Sequence, residues 1–321
     1  VTKGTSWLVT GGTGSFGRAF VGRLLSGGAS RIVVYSRDEL KQAEMAQMFG
    51  DERLRFFIGS VTDRQRLDTA LRGVDYVVHA AAMKRVEVCE QNPSEAVQTN
   101  VIGTGVVAHA VVQAGVKRAV FLSTDKAVHP NTLYGTTKLA AERLWTRANV
   151  YAAGTATRLA ATRYGNVLGS RGSVLGLWRE QARLGGPLTV TDPGMSRFWM
   201  QLGEAIELVL LAFREMRGGE VFVPKLPSCD IVTLAETIAP GVPYHVTGVR
   251  RGEKLHETLI SEDEARHTFD HGDHYRIEPD RTWETEPAAD IAAPGVPAGW
   301  SYRSDTNEDR LDVARLRELV A

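Results

Sequence analysis

Trp7-Leu8-Val9-Thr10-Gly11-Gly12-Thr13-Gly14-Ser15-Phe16-Gly17 is the stretch that decides the fold of this chain. The apolar triplet reads as a short buried strand and the glycines as a tight turn. Phe16, Phe20 and Leu24, with Val21 and Leu25 alongside, then mark the apolar face of a helix. Strand, glycine turn and helix in that order make a cradle for phosphate. Gly11 permits the turn, Gly14 lets the backbone approach a pyrophosphate, Gly17 lets the helix pack closely on the sheet, and the helix N-terminus meets the phosphates. The residues expected to hold a dinucleotide here are Thr10, Gly11, Thr13, Gly14, Ser15, Phe16 and Gly17.

Working outward, Arg31-Ile-Val-Val-Tyr35 reads as the second strand. Leu54-Arg-Phe-Phe-Ile58, Tyr76-Val-Val-His79 and Ala119-Val-Phe-Leu122 read as three more, separated by helical patterns such as Val106 to Val112, which ends at Gly115. Continuously apolar runs suit strands buried on both faces, and alternating strands and helices imply a parallel sheet. The fold class is therefore α/β, a doubly wound parallel sheet. Residues 1–165 are assigned to the dinucleotide-binding domain, which also receives segments near 198–225. Residues 166–321, where the alternation gives way to scattered Arg, Gly and Pro, are assigned to a smaller C-terminal substrate-binding lobe. His79, at a strand end, is read as a satisfied structural imidazole.

The residues after the second strand bear on which dinucleotide binds. An acid about twenty positions beyond the glycines takes the ribose diol of NAD, whereas an Arg accommodates the 2'-phosphate of NADP. Ser36 and Arg37 come first, Lys41 lies a helical turn on, and Asp38 reads as a helix N-cap. NADP is the favoured cofactor and NAD the less favoured. In the competing reading Asp38 takes the ribose and the two cations are solvated surface charges.

Beyond the fifth strand comes Ser123-Thr124-Asp125-Lys126, and eight residues later Tyr134-Gly-Thr-Thr-Lys138 opens a helical pattern through Leu139, Ala140, Ala141, Leu144 and Trp145. Chemistry in open α/β sheets sits in the crevice beyond the carboxyl ends of the strands, where Asp125 and Lys126 fall. Tyr134 and Lys138 share a helix face. An ammonium beside a phenol favours the phenolate, which lets Tyr134 act as a base near neutral pH. An amphipathic helix that happens to begin with Tyr meets the same spacing; its place after a buried strand of a dinucleotide-binding chain points to a site.

Composition narrows the function classes. Lys plus Arg number 38 and Asp plus Glu number 38, so the charge balance gives no reason to expect nucleic acid or a membrane surface as partner. Cys89 and Cys229 lack metal-ligand spacing and suit a reducing compartment, so neither a disulfide framework nor a metal site is expected. No apolar run approaches the ~20 residues of a membrane helix and no charged and apolar leader appears, so the expected location is cytoplasmic.

Taken together these motifs resemble the extended short-chain dehydrogenase/reductase superfamily, with its Rossmann-type fold. They are Thr10 to Gly17, Ala80-Ala81-Ala82, Asn100-Val-Ile-Gly-Thr104 and Tyr134-x-x-x-Lys138. Within it the chain resembles the inverting UDP-N-acetylglucosamine 4,6-dehydratases of the pseudaminic acid type. The segments that carry this are Tyr35 to Gln42, Ser123 to Lys126, Arg163 to Val167, Ser196 to Trp199, Val221 to Lys225, Arg250 to Glu257 and Ser304 to Asn307. Three departures stand out. Ser60 replaces the usual acid after the third strand, Arg251 replaces a proline in Arg250-Arg251-Gly252-Glu253, and Ala293 to Gly299 reads as a loop insertion.

The resemblance implies an intramolecular redox dehydration that serves polysaccharide biosynthesis. Tyr134, aided by Lys138, removes the C4 hydroxyl proton of UDP-N-acetylglucosamine while hydride passes from C4 to NADP. Lys126 takes the C5 proton, Asp125 protonates the departing C6 hydroxyl, Thr124 holds the C4 oxygen, and the hydride returns to C6. Ser60, Val61, Ala80, Ala81 and Ala82 join the cofactor contacts. Lys84, Asn166, Arg197, Arg250 and Glu253 are the expected substrate contacts, and a homo-oligomer is the expected assembly. A UDP-sugar epimerase is the alternative, and a cofactor sensor without turnover is disfavoured because Tyr134 and Lys138 are both present.

One difficulty is visible already. Adjacent Asp and Lys rest as carboxylate and ammonium, the wrong forms for an acid and a base. Burial is expected to push both toward neutrality, by up to about 3–5 units for full burial, while their attraction opposes the shift and couples their titration. Strand neighbours also face opposite ways, so the backbone must leave strand geometry by Lys126.

Overall fold

The computed structural model describes residues 1–169, 174–280 and 292–320. Among these, the principal sheet is built from β1 (Ser6–Thr10), β2 (Arg31–Ser36), β3 (Leu54–Ile58), β4 (Tyr76–His79), β5 (Arg118–Leu122), β6 (Arg158–Thr162), β7 (Val221–Pro224), β8 (Thr268–Asp270) and β9 (His274–Ile277). They lie in the order β8-β9-β7-β6-β5-β4-β1-β2-β3. From β3 to β7 every pairing is parallel; β9 and β8 add an antiparallel edge. The chain reverses direction across the sheet at β1, which sits between β2 and β4, and a crevice opens at that switch point.

Continuous apolar runs make sense because both faces of the sheet are covered. Trp7 and Val9 of β1 point to one side, where they meet Phe20 and Leu24 of helix α1 (Ser15–Ser26). Leu8 points to the other side, where the cover is Val107 and Val111 of the helix Gly103–Gln113 and Ala141 and Trp145 of the long helix Leu133–Arg147. Alternate side chains of one strand thus enter two cores.

Residues 166–320 do more than form a lobe of their own. The helix Leu202–Glu215 packs Val209 and Phe213 into the same core as Trp7, and β7 follows it to pair in parallel with β6. Both elements lie in the stretch near 198–225, and the strand Val221-Phe-Val-Pro224 is short and ends in a proline. The stretch Ala293–Gly299 is also more than a plain loop, since Asp270 N donates to Pro294 O at 2.9 Å and Val296 N to Thr268 O at 3.1 Å, along β8. A separate cluster of Leu175, Trp178, Leu188, Trp199, Leu234 and Leu316 forms the core of the remaining lobe. Among the described residues no helix is long and apolar enough to cross a membrane.

One buried ion-pair network fastens the two halves. Arg163, just beyond β6, bonds Glu142 of the long helix at 2.5 and 3.1 Å and Glu264 at 2.8 Å through both terminal nitrogens, and also donates to Leu259 O at 2.9 Å. Burial opposes ionisation of Glu264, yet Arg163 overrides it and holds the carboxyl at about 2. Replacing Arg163 with Leu strands two carboxylates in the interior, so urea unfolding should report a loss of about 3–5 kcal/mol. In the unsubstituted protein the folded pKa of Glu264 lies below its unfolded value. Its contribution is present above about pH 4.5 and declines as pH falls toward 2.

Candidate active site

The site is set by how the chain leaves β5. Ser123 N donates to Thr162 O at 2.7 Å and Asp125 N to Tyr164 O at 3.1 Å, so the backbone keeps company with its neighbour one step past the strand. It then tightens into a single 3-10 turn over Asp125–Ala127, whose first N–H groups are capped by the Thr124 hydroxyl, which accepts from Lys126 N at 3.4 Å. Strand alternation is abandoned there. Asp125 turns fully inside, while Lys126, with a side chain 30% exposed, reaches the adjoining cavity.

Asp125 Oδ1 accepts from the Thr124 hydroxyl at 2.8 Å and from Lys126 Nζ at 3.0 Å; its Oδ2 has no partner. Lys126 Nζ also lies 3.6 Å from Glu257 Oε1 and 3.5 Å from Asn166 Oδ1. Burial works against the ammonium, but Asp125 and Glu257 together win and raise its pKa above the ordinary lysine value. The expectation that burial makes Lys126 neutral is therefore corrected. Asp125, and after it a second carboxylate that the sequence reading did not pair with Lys126, outweigh burial.

The helix Leu133–Arg147 is N-capped by Thr132, whose hydroxyl accepts from Gly135 N at 3.1 Å, and it brings Tyr134 and Lys138 to the same cavity. It runs so close to the catalytic turn that a Cβ on Gly135 would stand 2.3 Å from Lys126 O. Tyr134 is pushed up to about 12 by burial, opposed by the charge of Lys126 and by a hydrogen bond with Thr124, and reinforced by Asp125. Lys138 is pulled down to about 7 by burial, which Glu142 only partly offsets. Its ammonium donates to Leu122 O at 2.5 Å and lies 3.8 Å from the centre of the Phe121 ring. The expected lowering of the tyrosine by Lys138 is thus not the arrangement in this structure, because the lysine is turned to the strand and sheds much of its charge.

A cavity of about 820 Å³ joins these groups to the glycine loop. Gly11, Thr13, Gly14, Ser15, Phe16 and Gly17 line it, as do Ser36, Arg37 and Lys41 beyond β2, and Ser60 and Val61 beyond β3. Ala80, Ala81, Ala82 and Lys84 follow β4, and Thr124, Lys126, Tyr134, Lys138 and Asn166 form the far wall. Gly11 has φ +64°, and a Cβ there would meet Ala81 N at 2.8 Å. Gly17 serves a closer contact than the one expected of it: its Cβ would strike Gly12 at 2.5 Å, within the loop itself and not on the sheet. No side chain caps the N-terminus of α1, which leaves backbone N–H groups facing the cradle. The buried Ser123 hydroxyl, also on the cavity wall, has no partner. The donor set and the bare helix terminus suit a dinucleotide.

Five expected site residues lie off this wall. Asp125 stands behind it, fully buried. Thr10 is buried beneath the loop, and its hydroxyl accepts from Ala80 N and Ala81 N at 3.2 Å each. Arg197 donates to the carbonyls of Ser196, Lys254 and Leu255 at 2.7–3.0 Å. Arg250 pairs with Glu87 at 2.6 Å, and Glu253 accepts from Arg250 N at 3.2 Å. Lys254, Glu257 and Tyr164 sit at the site without having been singled out. Lys254 and Glu257 lie within the segment Arg250–Glu257, but no spacing in the chain ties that segment to Lys126.

His79 shows what holds the loop from behind. The Thr10 hydroxyl, having accepted two N–H bonds, has its proton left for His79 Nδ1 at 2.7 Å, so Nε2 carries the hydrogen toward Thr104 Oγ1 at 3.0 Å. Burial, with help from the charge of Lys138, lowers this imidazole to about 3. An unfolded His binds its proton near 6.5, so the unfolded state takes up more protons between pH 6.5 and 3 and stability falls as pH drops through that window, by up to about 1.4 kcal/mol per pH unit. Urea titrations of His79→Gln at pH 6.5 and 5.5 should show that share of the slope removed.

Comparison with known proteins gives the following. Residues 7–279 match the family model described as polysaccharide biosynthesis protein. The UDP-N-acetylglucosamine 4,6-dehydratase (inverting) of Campylobacter jejuni subsp. jejuni serotype O:23/36 (strain 81-176) is 44% identical, over 99% of this chain and 98% of that protein. A UDP-glucose 4-epimerase of Rickettsia canadensis is 41% identical, over 84% of this chain and 82% of that protein. The X-ray structure of Pen from Bacillus thuringiensis superposes with a TM-score of 0.92 at 35% identity, over 99% and 98% of the two chains.

Proposed function

The chain belongs to the polysaccharide biosynthesis protein family, and from that membership and the geometry of the cavity we propose that it is a sugar-nucleotide 4,6-dehydratase acting on UDP-N-acetylglucosamine with NADP. The observation that carries this is the 3.0 Å hydrogen bond that sets the buried Asp125 directly behind Lys126, the lysine that shares a cavity with Tyr134 and Lys138. An epimerase needs a base for the C4 hydroxyl; only the elimination of water also needs an acid and base pair at C5 and C6.

When bound, the oxidised nicotinamide supplies the chemistry of accepting a hydride from C4 and giving one back at C6. The protein handles the protons. Tyr134 takes the C4 hydroxyl proton, with Thr124 holding the oxygen. Lys138, at about 7, changes charge readily at neutral pH and is placed to favour the phenolate once it turns from Leu122 O. One proton passed from the Lys126 ammonium along its hydrogen bond to Asp125 makes carboxylic acid and free amine together without net charge change. Lys126 then removes the C5 proton and Asp125 protonates the C6 hydroxyl, which departs as water. When hydride returns to C6, the Lys126 ammonium, having exchanged with solvent, gives a proton to C5, and the proton that Tyr134 took from the C4 hydroxyl balances the one Asp125 gave up with the water. Such acid and base assistance contributes about 10²–10⁴-fold.

Incubation with UDP-N-acetylglucosamine in deuterated water should give a 4-keto product lighter by one water and labelled at C5, read by mass spectrometry and NMR. An epimerised product of unchanged formula would favour the epimerase reading that the Rickettsia relative suggests. Tyr134→Phe should lose about 10²–10⁴ in turnover while still binding the dinucleotide.

The choice of NADP rests on Asp38. Its Oδ1 accepts from Lys41 N at 3.0 Å and its Oδ2 is paired with Lys41 Nζ, so the carboxylate is committed to capping the helix Glu39–Phe49. Arg37, paired at the surface with Glu95 at 3.2 Å, is free to turn to a 2'-phosphate. Replacing Arg37 and Lys41 together by Ala should weaken NADP by about tenfold or more and leave NAD nearly unchanged in equilibrium binding.

A further inference from the structure

Five charged side chains converge beside the cavity, and the chemistry above uses two of them. Glu257 is 3% exposed and lies behind the wall, not on it. Its Oε1 stands 3.6 Å from Lys126 Nζ and 3.9 Å from Arg197 Nε, and its Oε2 3.6 Å from Lys254 Nζ. Oε2 has no hydrogen-bond partner. A carboxylate withdrawn from water with so few bonds is costly to keep, and three cations surround it there. The residue is itself well anchored: Glu257 N donates to Ser304 Oγ at 2.9 Å, and Lys254 carries the connection on to Val128 O at 2.5 Å, in the backbone just after the catalytic turn.

We propose that Glu257 is a positioning residue for the elimination, fixing Lys126 Nζ beside Asp125 and, through Lys254, tying the C-terminal half to the catalytic turn. The inference rests on the dehydratase reading of this site. Without Glu257, Lys126 keeps a single carboxylate partner and is drawn onto Asp125. With it, the ammonium is pulled between two carboxylates and faces the cavity. The groups that bear on Lys126 are Asp125 from its own turn, Tyr134 from the long helix, Asn166 from the segment beyond β6, Arg197 from the strand Ser196–Met200, and Glu257 and Lys254 from the C-terminal half. The two carboxylates favour the ammonium and Arg197 opposes it.

Competitive acetylation with acetic anhydride across a pH series, read by peptide mass spectrometry on the NADP-loaded protein, gives the titration midpoint of Lys126 without any turnover. Glu257→Gln should lower that midpoint by about one to three pH units, and Glu257→Asp by less in the same direction. The base limb of C5 deuterium incorporation should move to lower pH in step, with its plateau reduced. A midpoint that stays in place in a variant still binding NADP, Glu257→Asp serving if the Gln variant does not fold, would overturn the proposal. So would an activity loss equal at every pH. Unsubstituted protein that binds NADP yet forms no dehydrated product refutes the dehydratase reading alone, because the Lys126 midpoint is measured independently of product.

Discussion

The exit of the chain from β5 is the constraint on which the rest depends. Two backbone hydrogen bonds, to the last residue of β6 and to Tyr164 beyond it, hold Ser123 and Asp125 in line, and the immediate 3-10 turn then sends adjacent side chains to different surroundings. Asp125 goes into the protein and Lys126 to the cavity, yet the two remain 3.0 Å apart. A continued strand would point them to opposite faces, and a longer loop would let water separate them.

From that turn outward the site is a matter of unequal solvation. Burial alone neutralises lysines, and Lys138, with only Glu142 to sustain its charge, is drawn to about 7. Lys126 sits between two carboxylates and moves the other way. Two lysines twelve residues apart in one cavity thus shift in opposite directions, set by which acids the fold brings to them. The same logic explains why the Arg163 network matters: it fixes the long helix that carries Tyr134 and Lys138 to Glu264 in the C-terminal half, so the two sides of the cavity cannot drift independently.

Much of this was legible in the chain itself. The glycine loop announces its strand and helix by local pattern, and Asp125, Lys126, Tyr134 and Lys138 fall within fourteen residues of one another. What the sequence withheld depends on long-range pairing. Glu257 reaches Lys126 across 131 positions with no motif of its own to link them, so its support for the ammonium, added to that of Asp125, went unread. A four-residue strand ending in Pro224, as β7 is, has too little alternation to stand out by its own pattern. Side-chain direction was the other gap: helical spacing puts Lys138 on the face of Tyr134, but only the folded chain shows its ammonium turned to Leu122 O and the Phe121 ring.

The central claim is that the Asp125–Lys126 pair carries out the elimination, and substituting Lys126 by Met puts it to the most direct test. The variant, supplied with NADP and UDP-N-acetylglucosamine in deuterated water, is expected to bind the dinucleotide as the unsubstituted protein does and to yield no dehydrated sugar labelled at C5. Formation of that labelled product at an undiminished rate would contradict the account.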